Sequence, residues 1–171
     1  KSRPHMSTAK AMLINTAKQY DWINGPLPNR DITRNVQGWG LPNIAAVYDF
    51  RNNALIINEN EADVLEVFRI RSYNFAVEQG DPTFKATLVY ADPPGTTSAS
   101  VHRINDLSLK VISPSGTVYW GNYGLTDGYG LTARLWSFED NDPATSEADH
   151  INTVENVFVE SPLEGTWTVT V

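Results

Sequence analysis

The chain has 171 residues, a formal net charge of −7 and no cysteine. That length allows one well-cored domain with an appendage, and the negative charge argues against a phosphate-rich partner such as nucleic acid. Without cysteine there is no disulfide, thiolate-bound zinc or thiol catalysis, and no apolar run nears the roughly 20 residues needed to span a bilayer, so neither nucleic acid nor a membrane is an expected partner.

Residues 1–6 have no helical period and read as a leader, with His5-Met6 of the kind that a cloning vector leaves behind. From Ser7, a residue able to cap a helix, Ala9, Met12, Leu13 and Ala17 recur at helical spacing, which predicts an amphipathic helix reaching Gln19. Gly25-Pro26 and Pro28-Asn29 then favour turns, so residues 21–37 are expected to form a loop. Gly38-Trp39-Gly40 places a large ring between two permissive backbones, with Trp39 expected as a packing anchor. Pro42 suits the first turn of a second helix ending near Tyr48.

Beyond Phe50 the pattern changes to short alternating runs at 54–57, 64–70, 84–90, 107–112, 117–120, 133–138, 154–159 and 166–171. Such runs, separated by turns at Asp92-Pro93-Pro94-Gly95, Ser113-Pro114-Ser115-Gly116 and Pro162-Leu163-Glu164-Gly165, predict an all-β layered domain. Phe84 to Tyr90 and Thr166 to Val171 alternate most clearly, as strands with one wet face do.

Several phrases, in order, carry a family resemblance. Ser7 to Ala17 looks like the late helix of a subtilisin-like (subtilase) catalytic domain, and Gln37-Gly38-Trp39-Gly40 resembles the turn into that domain's last helix. Ala91 to Gly95, Asn105-Asp106-Leu107-Ser108-Leu109, Ser113 to Tyr119, Val154-Glu155-Asn156-Val157 and Pro162 to Val169 resemble the β-sandwich that follows this domain in many such serine peptidases. The resemblance implies a mainly β chain: a jelly-roll-like antiparallel sandwich over residues 51–171, preceded by a short helical remnant of the catalytic domain over residues 1–50. It further implies a secreted or extracellular protein whose partner is the subtilase catalytic domain, in cis or in trans after cleavage, and which meets polypeptide substrate only through that parent hydrolase.

The family's nucleophile lies in a Gly-Thr-Ser-x-Ala segment that this chain lacks, and its aspartate and histidine motifs are also absent. His5, His102 and His150 are the candidate bases for an independent triad, and none stands beside a glycine-flanked serine. The expectation is a noncatalytic C-terminal portion contributing stability, substrate access or regulation. An alternative from another class is an autonomous module binding carbohydrate or protein through Trp120, Tyr123 and Tyr129, aromatics set among glycines that equally suit packing.

Oxygen-bearing side chains at Asp92, Asn105, Asp106, Asp149, Asn152 and Glu155, with neighbouring Asn156, form a candidate calcium set, since family sandwiches sometimes hold this ion. Glu139-Asp140-Asn141-Asp142 is a second. Their spacing is not that of an EF-hand, and the competing reading is that these groups brace loop backbone.

Overall fold

The computed structural model describes residues 3–18, 38–58, 65–125, 135–142 and 146–171. Among the described residues, the α-helices α1 (Met6–Asn15) and α2 (Ile44–Asp49), the latter followed by a 3-10 turn (Phe50–Asn52), precede the strands β1 (Ser72–Val77), β2 (Thr83–Val89), β3 (Lys110–Ile112), β4 (Val118–Trp120), β5 (Val154–Glu160) and β6 (Gly165–Thr170). The strands form two antiparallel sheets, one in the order β1-β6-β3-β4 and the other pairing β2 with β5. The chain is thus mainly β, with two sheets in a sandwich-like arrangement behind a short helical segment.

Period-two alternation selects which residues meet between the sheets. Phe84 and Ala86 of β2 and Val157 of β5 face Val77, Val111, Tyr119 and Trp167 of the larger sheet, and Leu109 joins them just ahead of β3. Trp167 is the centre: 1 % exposed, it stacks on Phe84 at 4.7 Å and on Tyr119 at 5.9 Å. Its indole N–H donates to the Leu163 carbonyl at 2.9 Å, so the turn before β6 satisfies the ring's polar atom. On the opposite face of β6, Thr168 and Thr170 bond Asn74 and Ser72 across β1, the wet side expected of this strand.

β5 departs from simple alternation, with Glu155, Asn156, Val157 and Phe158 all buried in succession. Both of its faces are covered. Val157 looks into the core, while Phe158 is met edge-on by Trp39 at 6.1 Å and by the Lys85 ammonium at 5.1 Å. Helix α1 lies on the same outer face, where Asn15 donates to the Thr87 hydroxyl at 3.0 Å and Thr87 donates in turn to Asn156 Oδ1 at 2.7 Å. Trp39 therefore has the packing role expected of it.

Local differences from the sequence reading have physical causes. Helix α1 begins at Met6 with His5 as an N-cap that makes no side-chain bond, so Ser7 is buried inside the helix rather than capping it. Asn43, not Pro42, sets the start of α2, its side chain accepting the Ala46 N–H at 3.1 Å. Residues 54–57 are not a strand, and neither are the described parts of 64–70 and 133–138. Around residue 68 the backbone turns: Arg69 N–H bonds the Glu66 carbonyl at 3.0 Å and Phe68 adopts φ 61°, which no extended run accommodates. The strand lies a few residues later, at Ser72–Val77, where Tyr73, Phe75 and Val77 pair opposite Val169, Trp167 and Gly165. The loop expected at 21–37 falls outside the described residues, as does Tyr129.

Candidate functional site

Most polar residues singled out from the sequence converge at one end of the sandwich. The chain leaving β2, the run into β3, the turn after β4 and the approach to β5 meet there, and each carboxylate has a distinct set of donors. Asp92 accepts the backbone N–H of Ile104 at 2.6 Å, that of Asn105 at 2.9 Å and the Asn105 side-chain amide at 2.9 Å. It therefore pins the two ends of an intervening loop. Desolvation pulls its pKa upward, but these donors and the Arg103 charge outweigh that and hold the carboxyl below its ordinary value.

Asp149 is braced the same way. Its carboxylate accepts the N–H groups of Ile151 and Asn152 at 2.8 and 3.0 Å, the Asn152 amide at 2.7 Å and the Asn122 amide at 2.6 Å. Burial again pulls upward, and the four donors prevail, leaving a lowered pKa. Asn122, only 2 % exposed, links this loop to the sheet: its amide also reaches the Val154 carbonyl, and its Oδ1 accepts the Asn156 N–H at 3.0 Å. It sits at φ 63°, a left-handed conformation that asparagine tolerates better than most residues.

Asp106 bonds two side chains, Arg103 at 3.0 Å through Oδ1 and His150 at 2.8 Å through Oδ2. This acid–histidine pair superficially suggests two thirds of a triad. Among the described residues, however, Asp106 is the hydrogen-bonding partner of His150, and no serine hydroxyl adjoins the ring. The pairing of residues 106 and 150 was not legible in the sequence, where they stand 44 positions apart.

Glu155 has a different environment. It projects from β5 on the core side, fully buried, and its Oε2 accepts the Leu109 N–H at 2.8 Å. Burial pushes its pKa up to about 8; the Leu109 N–H and Arg103 oppose the rise, while Asp149 and Asp106 reinforce it. At pH 7 the carboxyl is protonated, which removes the penalty of an unpaired buried charge. Its Oε1 and the Asn156 amide nitrogen have no hydrogen-bond partner among the described residues. Directly beneath, Gly121 leaves the space this carboxyl fills, since a Cβ at that position would strike it.

The six residues of the first calcium set are thus brought together, but the chemistry of their donors does not fit a hard cation. Calcium takes six to eight oxygens, whereas the lone pairs of Asp92, Asp106 and Asp149 point at N–H groups. Among the described residues no group of three or more His, Asp or Glu is arranged to hold a metal ion. In the second set, Asp140 accepts the Trp120 indole N–H at 2.8 Å and the Asp142 N–H at 3.0 Å, and Glu139 accepts the Tyr119 hydroxyl at 3.2 Å. Those bonds cover the free edge of β4, where Asp140 forms a bridge with Val118.

Of the aromatic set, Trp120 and Tyr123 lie among the described residues, and each packs against neighbours of its own. Trp120 is half-buried, held by Asp140 on its rim and by the Lys110 ammonium 5.0 Å from its ring, and Tyr123 stands edge-on to Phe138 at 5.6 Å. No helix among the described residues is long and apolar enough to cross a membrane. No protein-family model matches the chain, and no curated protein matches it.

Proposed function

We propose that this chain is the noncatalytic C-terminal portion of a subtilisin-like serine endopeptidase, secreted or extracellular, which contributes stability to the parent enzyme by docking against its catalytic domain. The observation that carries the reading is an apolar surface on the segment ahead of the sandwich. Met6, Ile44 and Tyr48, on the stretch that resembles the end of a catalytic domain, and Val67, Phe68 and Ile70, just ahead of β1, are each more than 60 % exposed. Large apolar side chains left in water favour contact with another protein body. The sandwich end described above supplies loops braced by their own carboxylates, as a stabilising portion would.

Labelling with an activity-based serine-hydrolase probe tests this reading, comparing the chain with the full-length gene product. The expected result is labelling of the full-length protein alone. Labelling of this chain would overturn the noncatalytic assignment, and silence from both would move the assignment to a binding module.

A further inference from the structure

Arg103 stands at the centre of the braced end. Its side chain is 8 % exposed, within 3.0 Å of Asp106 Oδ1 and 3.4 Å of the Asp149 carbonyl, and its charge acts on the nearby Tyr90 hydroxyl. Tyr90 in turn reaches the Asn105 carbonyl at 3.1 Å and the Asn152 carbonyl at 3.5 Å. One guanidinium thus ties the run into β3 to the approach to β5, with its charge beside the strand end after β2. A charge so far removed from water persists only where partners compensate it, and guanidinium, with a planar fork of donors and no accessible neutral form, suits several oxygens at once.

We infer that Arg103 is the resident counter-cation of this loop end, occupying with a side chain the electrostatic role for which the family resemblance suggested calcium. The guanidinium bonds the Asp106 carboxylate directly, reaches the Asp149 backbone carbonyl, and adds its charge to the donors that hold the Asp92 carboxyl below its ordinary value. Asp92 and Asp149 are braced by N–H donors from Ile104, Asn105, Ile151 and Asn152, which leaves the guanidinium as the cation paired with Asp106. The three loops are then held together independently of any divalent ion.

Thermal melting of the chain in excess calcium and in chelator, for the wild type, Arg103→Met and Arg103→Lys, tests this. The wild type is expected to melt at the same temperature in both solutions. Arg103→Met keeps the stem's packing and loses the charge, so it is expected to melt roughly 5–10 °C lower in chelator and to be raised by calcium, which ligand linkage predicts once the cation position is open. Arg103→Lys retains a point charge without the fork and is expected between the two. Should Arg103→Met fail to fold, the lysine variant and the wild-type comparison still decide. A wild-type melting temperature that falls in chelator would overturn the inference, as would an Arg103→Met or Arg103→Lys protein that melts like the wild type.

Discussion

Glu155 concentrates the chemistry of this end in one residue, because a carboxyl buried beside a core must be neutral or paired. Its folded-state pKa of about 8 lies above the ordinary glutamate value of 4.5. Between those values the folded chain holds a proton that the unfolded chain has released, so stability falls as pH rises through that window, by about 1.4 kcal/mol per unit at most, and levels off above it. Asp92 and Asp149, whose pKa values are lowered, act oppositely: their contribution is lost as pH falls through their folded-state values. Urea midpoints for wild type and Glu155→Gln between pH 5 and 9 are expected to show the decline in the first and its absence in the second. A decline of equal slope in both would assign the effect to another group. Gly121 is the steric counterpart. Gly121→Ala drives a methyl into the Glu155 carboxyl and is expected to lower unfolding free energy by about 1–3 kcal/mol in denaturant titration.

At the scale of elements, β5 is covered on both faces, and both of its edges are hydrogen-bonded. β2 pairs along one edge; on the other, Asn122 and Ser137 exchange bonds with Asn156 and Phe158. Replacing Asn122 with alanine removes the acceptor of the buried Asn156 N–H and forces a Cβ-bearing residue without a local hydrogen bond into the left-handed region. The expected loss is about 2–4 kcal/mol. Asn122→Gly keeps the backbone comfortable and is expected to lose less, so the difference between the two midpoints isolates the conformational part. Equal losses would assign the whole effect to the side-chain bonds.

The same strand shows what the sequence carries and what it omits. Trp167, Phe84 and Val157 were legible as strand residues because alternation and turn chemistry are local signals. β1 was missed because the apolar run just before it, Val64 to Ile70, competes with Ser72–Val77 for the same pattern, and the turn at Phe68 that decides between them has no glycine to announce it. The polar end was legible as a group of oxygen-bearing residues in the right phrases. Its chemistry was not, because Arg103–Asp106–His150 and Asn122–Asp149 depend on loops meeting across long stretches of chain, and spacing cannot tell an oxygen aimed at a metal from one aimed at an N–H.

At the scale of the whole molecule, the two ends of the chain differ in how well they are finished. The core around Trp167 is closed, yet between α1, residues 54–57 and 65–71 and the strands lies an open groove lined in part by the half-buried Phe75 and Leu88. Val67 and Phe68 stand 80 % and 99 % exposed at its rim, and Phe68 does so from a backbone conformation unfavourable to a side chain. Neither residue contributes appreciably to this chain's own packing, so replacing both is expected to leave its stability intact. For Val67→Ser with Phe68→Gly, the melting temperature of the isolated chain is expected within about 2 °C of wild type, or slightly above it, since glycine relieves the positive φ. Sedimentation velocity should show concentration-dependent association of the wild type, driven by burial of this apolar face, and a monomeric variant. In the full-length gene product the same pair is expected to weaken docking, seen as faster release of the C-terminal portion after limited proteolysis. If release is unchanged while association of the isolated chain is abolished, the face serves contacts between copies rather than the catalytic domain; if the wild type is monomeric at all concentrations, the apolar rim is not an adhesive surface and the docking proposal loses the observation that carries it.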